Sequence, residues 1–135
     1  MFGAKRRARE AADRAVGTWN SLVREYAPRA RRYVEANRTE LHRGLTLSAS
    51  ELEMTDLALM AALTYRAAWD DLPERLELEL GASAHLLDEE SVAALHRLAP
   101  TSLSVAFPGV DVRLVEVCLK DTRFQHIDRD DIYSA

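Results

Sequence analysis

Thirteen residues spread from Ala8 to Leu41 fall on one side of a helix. They are Ala8, Ala12, Ala15, Val16, Trp19, Leu22, Val23, Tyr26, Ala30, Tyr33, Val34, Asn37 and Leu41. Wound at about 100° per residue, they occupy a sector roughly 120° wide. The stripe keeps its phase through Pro28. Two helices meeting at a break would have no reason to stay in register, so the spacing predicts one helix over residues 5–43, kinked at Ala27-Pro28. Pro28 itself falls on the polar side, where a bend does least damage. His42-Arg43-Gly44 supplies the stop, with cations in the last turn and a glycine for the left-handed cap. The alternative is a break at Pro28, giving a helical hairpin.

Such a helix would be about 58 Å long at 1.5 Å per residue, whereas a compact chain of this size has a radius of gyration near ~14 Å. The helix is therefore expected to overhang its own domain and leave Trp19 or Tyr26 uncovered. An exposed stripe of that size normally meets a partner, and the simplest partner is a second copy of the same helix. Trp19, Leu22, Val23, Tyr26 and Tyr33 are the expected anchors, as large apolar side chains of limited flexibility.

The charge is divided along the same boundary. Residues 1–43 carry eleven Lys/Arg against five Asp/Glu, and the remaining residues carry seven against seventeen. The chain thus reads as a basic helical arm, 1–44, on an acidic body, 45–135, within a single domain overall. Only Lys5 and Lys120 among the cations are Lys, a bias along the whole chain that fits a GC-rich, bacterial genome better than a need for bidentate pairing. In the middle of the arm, the pairs Glu25-Arg29 and Arg31-Glu35 at i,i+4 describe an ordinary solvated face. The extreme N-terminus differs, because cations there oppose the helix dipole. Lys5, Arg6, Arg7 and Arg9, together with Arg29, Arg31, Arg32 and Arg38, form the set that would line phosphates. Without a base-reading motif, such binding would be independent of sequence. An amphipathic arm on an anionic membrane ranks behind both readings.

In the body, Ser48 and Glu51 make a capping box, with Leu47 and Leu52 as a hydrophobic staple. The helix they start is expected to run to about Asp70. Its centre, residues 57–63, is apolar all round, which places it in the middle of a fold. Pro73 is expected to begin a short helix ended by Gly81. Asp88 is expected to cap another through Ala99, stopped by Pro100. Residues 102–107 and 110–119 alternate in the manner of strands, joined by a type II turn at Pro108-Gly109, with a phase slip after Leu114 that suggests a bulge. The fold class expected is mainly α with a small C-terminal β-hairpin (α+β), the long N-terminal amphipathic helix packed on or extending from a helical core. From Lys120 onward the chain reads as a polar loop. This order resembles a winged helix, in which the helix before the hairpin enters the major groove. Here that helix carries Asp88, Glu89 and Glu90 against Arg97, so phosphates would repel it and the scaffold would serve protein contacts.

No catalytic or cofactor motif stands out. His126, Asp128, Asp130 and Asp131 are the densest set of metal-ligand residue types, but they lack the glycine and closing glutamate of a calcium loop and read as a solvated acidic tail. His42, His85 and His96 are isolated. Cys118 lies in a β-branched run and reads as a small buried apolar residue; as the sole cysteine it fits a reducing compartment. No apolar run follows the basic start, as a secretory signal would require. The 47% apolar content is that of a folded chain rather than a disordered one. The expectation is therefore a cytoplasmic, non-enzymatic interaction or regulatory module without metal, cofactor or small-molecule substrate. Its partner would be itself, as a homodimer or larger, or another protein, with nucleic acid as the alternative.

Overall fold

The computed structural model describes residues 2–135. Its elements are α1 (Phe2–Ala36), α2 (Arg38–Leu41), α3 (Ala49–Leu80), α4 (Glu89–Ala106), α5 (Val112–Lys120) and α6 (Arg129–Tyr133), with short 3-10 turns at Gly81–Leu86 and Thr122–Phe124. There is no strand among the described residues.

α1 and α3 form the frame. They run antiparallel. Arg38 and His42, just beyond the end of α1, pair with Asp56 near the start of α3 at 3.2 and 2.6 Å, while Arg14 near the start of α1 donates to the carbonyl of Glu79 near the end of α3. α1 passes through Pro28 without a break and ends at Asn37, whose amide nitrogen and side chain both donate to the Tyr33 carbonyl. The helix predicted to reach residue 43 is thus interrupted there, and α2 adds one more turn before Gly44, which takes the left-handed φ of 80°. Ser48 caps α3 as expected, accepting from the Glu51 amide at 3.2 Å and donating to the Glu51 carboxylate at 2.9 Å. Residues 58–64 of α3 are buried without interruption, in keeping with a helix covered on several sides.

The expectation that α1 leaves Trp19 or Tyr26 uncovered is corrected, and the cause lies at Pro73. α3 does not stop near Asp70 but continues to Leu80. Ala68, Leu72 and Leu80 stay on its buried side across the proline, and their packing offsets a backbone bond whose loss in a helix interior costs about 3 kcal/mol. At 32 residues against the 35 of α1, α3 spans about 48 Å and covers most of an α1 about 52 Å long. From Ala11 onward the arm is therefore packed along the body, while residues 3–10 lie largely exposed beyond the Arg14–Glu79 contact.

The expected hairpin and its wing are absent. α4 begins where predicted, with Asp88 accepting from the Ser91 amide at 2.9 Å, but it runs through Pro100 to Ala106. Leu95, Ala99, Leu103 and Phe107 form an i,i+4 row, each no more than 4% exposed. The alternation of Leu103, Val105 and Phe107 is incidental, since Val105 is 77% exposed. The Pro108-Gly109 turn has the type II signature, with Gly109 at φ 83° and Val110 donating back to Phe107 at 3.1 Å, but it joins two helices. Asp111 caps α5. What resembled a bulge after Leu114 is the 3.6-residue period of α5, which buries Val115 and Cys118.

The C-terminal stretch is likewise not a polar loop. Phe124, Ile127 and Ile132 are each at most 4% exposed. Arg66 of α3 donates to the carbonyls of Phe124, Gln125 and Ile127 at 2.8, 3.2 and 2.9 Å, fixing the turn that delivers α6 onto α1 and α3. No helix among the described residues is long and apolar enough to cross a membrane.

Candidate functional site

The expected anchors lie inside the chain. Trp19 and Leu22 are 0% exposed, Tyr26 2% and Val23 3%, while Tyr33 is half-buried. Trp19 meets Tyr65 and Trp69 edge-on at ring distances of 5.9 and 5.5 Å. The Tyr26 hydroxyl donates to Asp71 at 3.0 Å, and Asp71 is held in turn by Arg75 and Arg129, both at 3.3 Å. Burial, then the bond to Asp71, pushes the Tyr26 phenol well above its usual range. Burial works against the Arg75 charge, but Glu25 at 3.0 Å and Asp71 more than offset it and raise its pKa. The stripe is therefore the chain's own core, closed by a polar network that links α1, α3 and α6. In this fold it is not a free surface for a second copy or a lipid bilayer.

The basic set divides in two. Arg29 donates to the Glu25 carbonyl and lies over the Tyr133 ring; Arg31 donates to the Ala106 carbonyl and lies over Phe107. Arg32 donates to the Ala135 carbonyl, and Arg38 pairs with Asp56. These four hold the fold together. Lys5, Arg6, Arg7 and Arg9 are exposed on the first turns of α1. Arg6 is paired with Glu10 at 3.6 Å, and Arg7 donates to the Gly3 carbonyl. The two groups therefore differ in how far they are engaged within the fold.

Asp128 and Asp131 form a reciprocal capping box at the start of α6. This explains the acidic cluster, and no group of three or more His, Cys, Asp or Glu side chains among the described residues is placed to hold a metal. Cys118 is buried, and its thiol is pushed up to about 11, first by burial and then by Asp121.

The feature that sequence reasoning missed is a groove. α4 and α5 both lean on the α1–α3 frame but make no substantial contact with each other. Between them is an apolar cavity of about 200 Å³, walled by Leu103, Val115 and Leu119, with Val110, Val112 and Glu116 also lining it. Besides Glu116, Tyr65 and His96 bring polar groups to it, their Oη and Nδ1 3.4 Å apart. Burial raises the Tyr65 phenol, so it stays a donor. Behind them Trp69 stacks on Tyr65 at an interplanar angle of 7° and meets the His96 ring at 4.1 Å. The buried Trp19 Nε1 in the same aromatic cluster has no acceptor among the described residues. The groove is assembled from α3, α4, the Pro108-Gly109 turn and α5, so no single stretch of sequence announces it. Its nearest signal was Leu103, Val110, Val112, Val115 and Leu119, which fit a strand pattern equally well. Comparison with known protein families, with curated proteins and with solved structures finds no match to this chain.

Proposed function

We propose that the chain is a small helical protein-interaction module whose docking surface is the α4–α5 groove. The observation that carries this reading is an open apolar slot between two helices that both lean on the core. At about 200 Å³ it falls below the ~300–1,000 Å³ usual for small-molecule and cofactor pockets. It therefore suits one bulky apolar side chain of a partner, as a binding hot spot does. Glu116 among the lining residues, and the net −10 charge of residues 44–135, select an anchor carried on a basic segment. The reading keeps a cytoplasmic, regulatory or bridging role and moves the contact away from the α1 stripe.

The test is fluorescence anisotropy with a labelled amphipathic helical peptide that carries one leucine anchor and arginine flanks, beside the same peptide with glutamate flanks. The basic peptide is expected to bind saturably, and Val112→Arg is expected to weaken it by roughly tenfold or more. Equal binding of the two peptides, or no effect of Val112→Arg, would remove the reading. Light scattering on the free chain shows whether the groove is taken by a second copy: a dimer dissociated by Val112→Arg would assign it so. The nucleic-acid reading now rests on Lys5, Arg7 and Arg9 alone. It requires duplex binding that weakens steeply with salt and is lost when those three are changed to Gln.

A further inference from the structure

A second cleft lies between α1 and α3 and uses none of the groove residues. Arg14, Gly17, Thr18, Ser21 and Arg24 line its α1 side, and Arg75 and Glu79 line its α3 side. At about 100° per residue the five α1 positions share a sector roughly 120° wide. The cleft measures about 330 Å³, within the range of small-ligand sites at ~300–1,000 Å³.

Arg14 gives Nη2 to the Glu79 carbonyl and Arg75 joins the Asp71 network, while Arg24 ties no two elements together. Neither Arg14 nor Arg24 enters an ion pair among the described residues. Arg24 makes only a 3.4 Å contact with the Ser21 hydroxyl. Arg75 engages Glu25 and Asp71 through Nη2, while its Nε and Nη1 have no acceptor among the described residues. Thr18 donates its proton to the Arg14 carbonyl at 3.0 Å and keeps its lone pairs. Gly17 is a second, separate sign. A glycine inside a helix is destabilising relative to alanine, yet here φ is ordinary and a Cβ would meet nothing within 4 Å. No packing within the chain requires the missing side chain. Close approach of a ligand to the helix backbone would require it.

We propose that this cleft binds a small phosphorylated, hydroxyl-bearing ligand, with its phosphoryl group between Arg24 and Arg75. Guanidinium forks match phosphate oxygens bidentately, and the Ser21 hydroxyl adds a donor. The body of the ligand lies over Gly17 toward Arg14. Glu79, the one carboxylate of the lining, accepts from its hydroxyls rather than facing the phosphate.

Calorimetric titration of the full chain with inorganic phosphate, glucose 6-phosphate and glucose tests this, with amide chemical shifts recorded alongside. Saturable binding of glucose 6-phosphate, tighter than that of phosphate, is expected, with the largest shifts at Gly17, Thr18 and Ser21. Arg24→Gln should weaken it by about tenfold or more, the usual range for a lost charge-assisted bond. Arg97→Gln, an equal charge change on exposed α4, should not. Gly17→Ala should raise Tm by about 3 °C and weaken ligand binding, a combination that rules out misfolding as the cause. Glu79→Gln should remove the advantage of glucose 6-phosphate over phosphate. Equal losses in Arg24→Gln and Arg97→Gln, absence of saturation, or unchanged affinity in Gly17→Ala overturns the proposal. So does tighter binding of a DNA duplex than of glucose 6-phosphate, which would give this face to nucleic acid.

Discussion

The network around Asp71 gives the most direct test of how α1, α3 and α6 are joined. One carboxylate oxygen accepts from the Tyr26 hydroxyl at 3.0 Å and from Arg75 at 3.3 Å, and the other from Arg129 at 3.3 Å. The side chains of Asp71, Arg75 and Arg129 are 14%, 26% and 32% exposed, so solvent screens them only in part. Tyr26→Phe removes one hydrogen bond to a charged group, and the partial exposure puts its cost at the low end of the usual range, about 1.5 kcal/mol. Asp71→Ala removes the charge facing two guanidiniums as well as the acceptor of the Tyr26 proton. Because Arg75 keeps Glu25, the loss should stay near the lower bound for breaking a buried pair, about 3 kcal/mol. The double variant should fall short of the sum by about 1 kcal/mol, which is the Tyr26–Asp71 coupling. Urea unfolding followed by circular dichroism at 222 nm measures all four corners of the cycle. Since the groups are largely buried, 0.5 M salt should change the coupling little. A coupling indistinguishable from zero would mean that the ring of Tyr26 is held by packing alone and that the polar closure described here does not form.

Other expectations follow from single features. Cys118 has a thiol raised from 9.0 to about 11, so its contribution is intact below pH 9 and lost as pH rises toward 11, where the unfolded thiol ionises and the buried one resists. Wild type should lose about 2–3 kcal/mol more than Cys118→Ala over that window, measured by denaturant titration at stepped pH. Val105→Ala separates helix from strand by the sign of its effect. At an exposed helical position it should stabilise by a few tenths of a kcal/mol, whereas in a strand the same change destabilises. Ile132→Ala should cost about 2–4 kcal/mol because α6 places that side chain in the core at 1% exposure; a loss under about 0.5 kcal/mol would mean that the C-terminal turn is not docked.

Local signals in this sequence were reliable where they depended on neighbours in the chain. The phase of the α1 stripe across Pro28, the Ser48–Glu51 box, the Asp88 cap, and the Gly44 and Gly81 stops all reappear in the structure. The two early helix stops share one cause. Pro73 and Pro100 read as stops because a proline removes a backbone bond, but the rows Ala68-Leu72-Leu80 and Leu95-Ala99-Leu103-Phe107 bury enough apolar surface to carry the helix past them. The same rows, sampled every second residue, imitate strands. Whether the α1 stripe is a core or an interface was not decidable from α1 at all. It depended on how far α3 ran, and so on Pro73. The Asp128–Asp131 box was legible but was read as an acidic tail, because Phe124, Ile127 and Ile132 are too sparse to show an apolar face. Both clefts gather side chains from separate elements, and only the α1 half of the second, from Arg14 to Arg24, lies on one legible helical face.

The docking of α6 against α1 also sets an order of events during synthesis. Arg32 and Ala135, which meet in the finished fold, are 103 positions apart in the chain. At ~5–20 residues per second a ribosome needs roughly 5–20 s to cover that distance. Until α3 emerges, Trp19, Leu22 and Tyr26 form an uncovered apolar ridge, and Tyr26 waits longer still for Arg129 and Tyr133. The nascent chain thus presents for seconds the surface that the folded molecule conceals, and a trigger-type holdase or a neighbouring nascent copy would meet this protein there first.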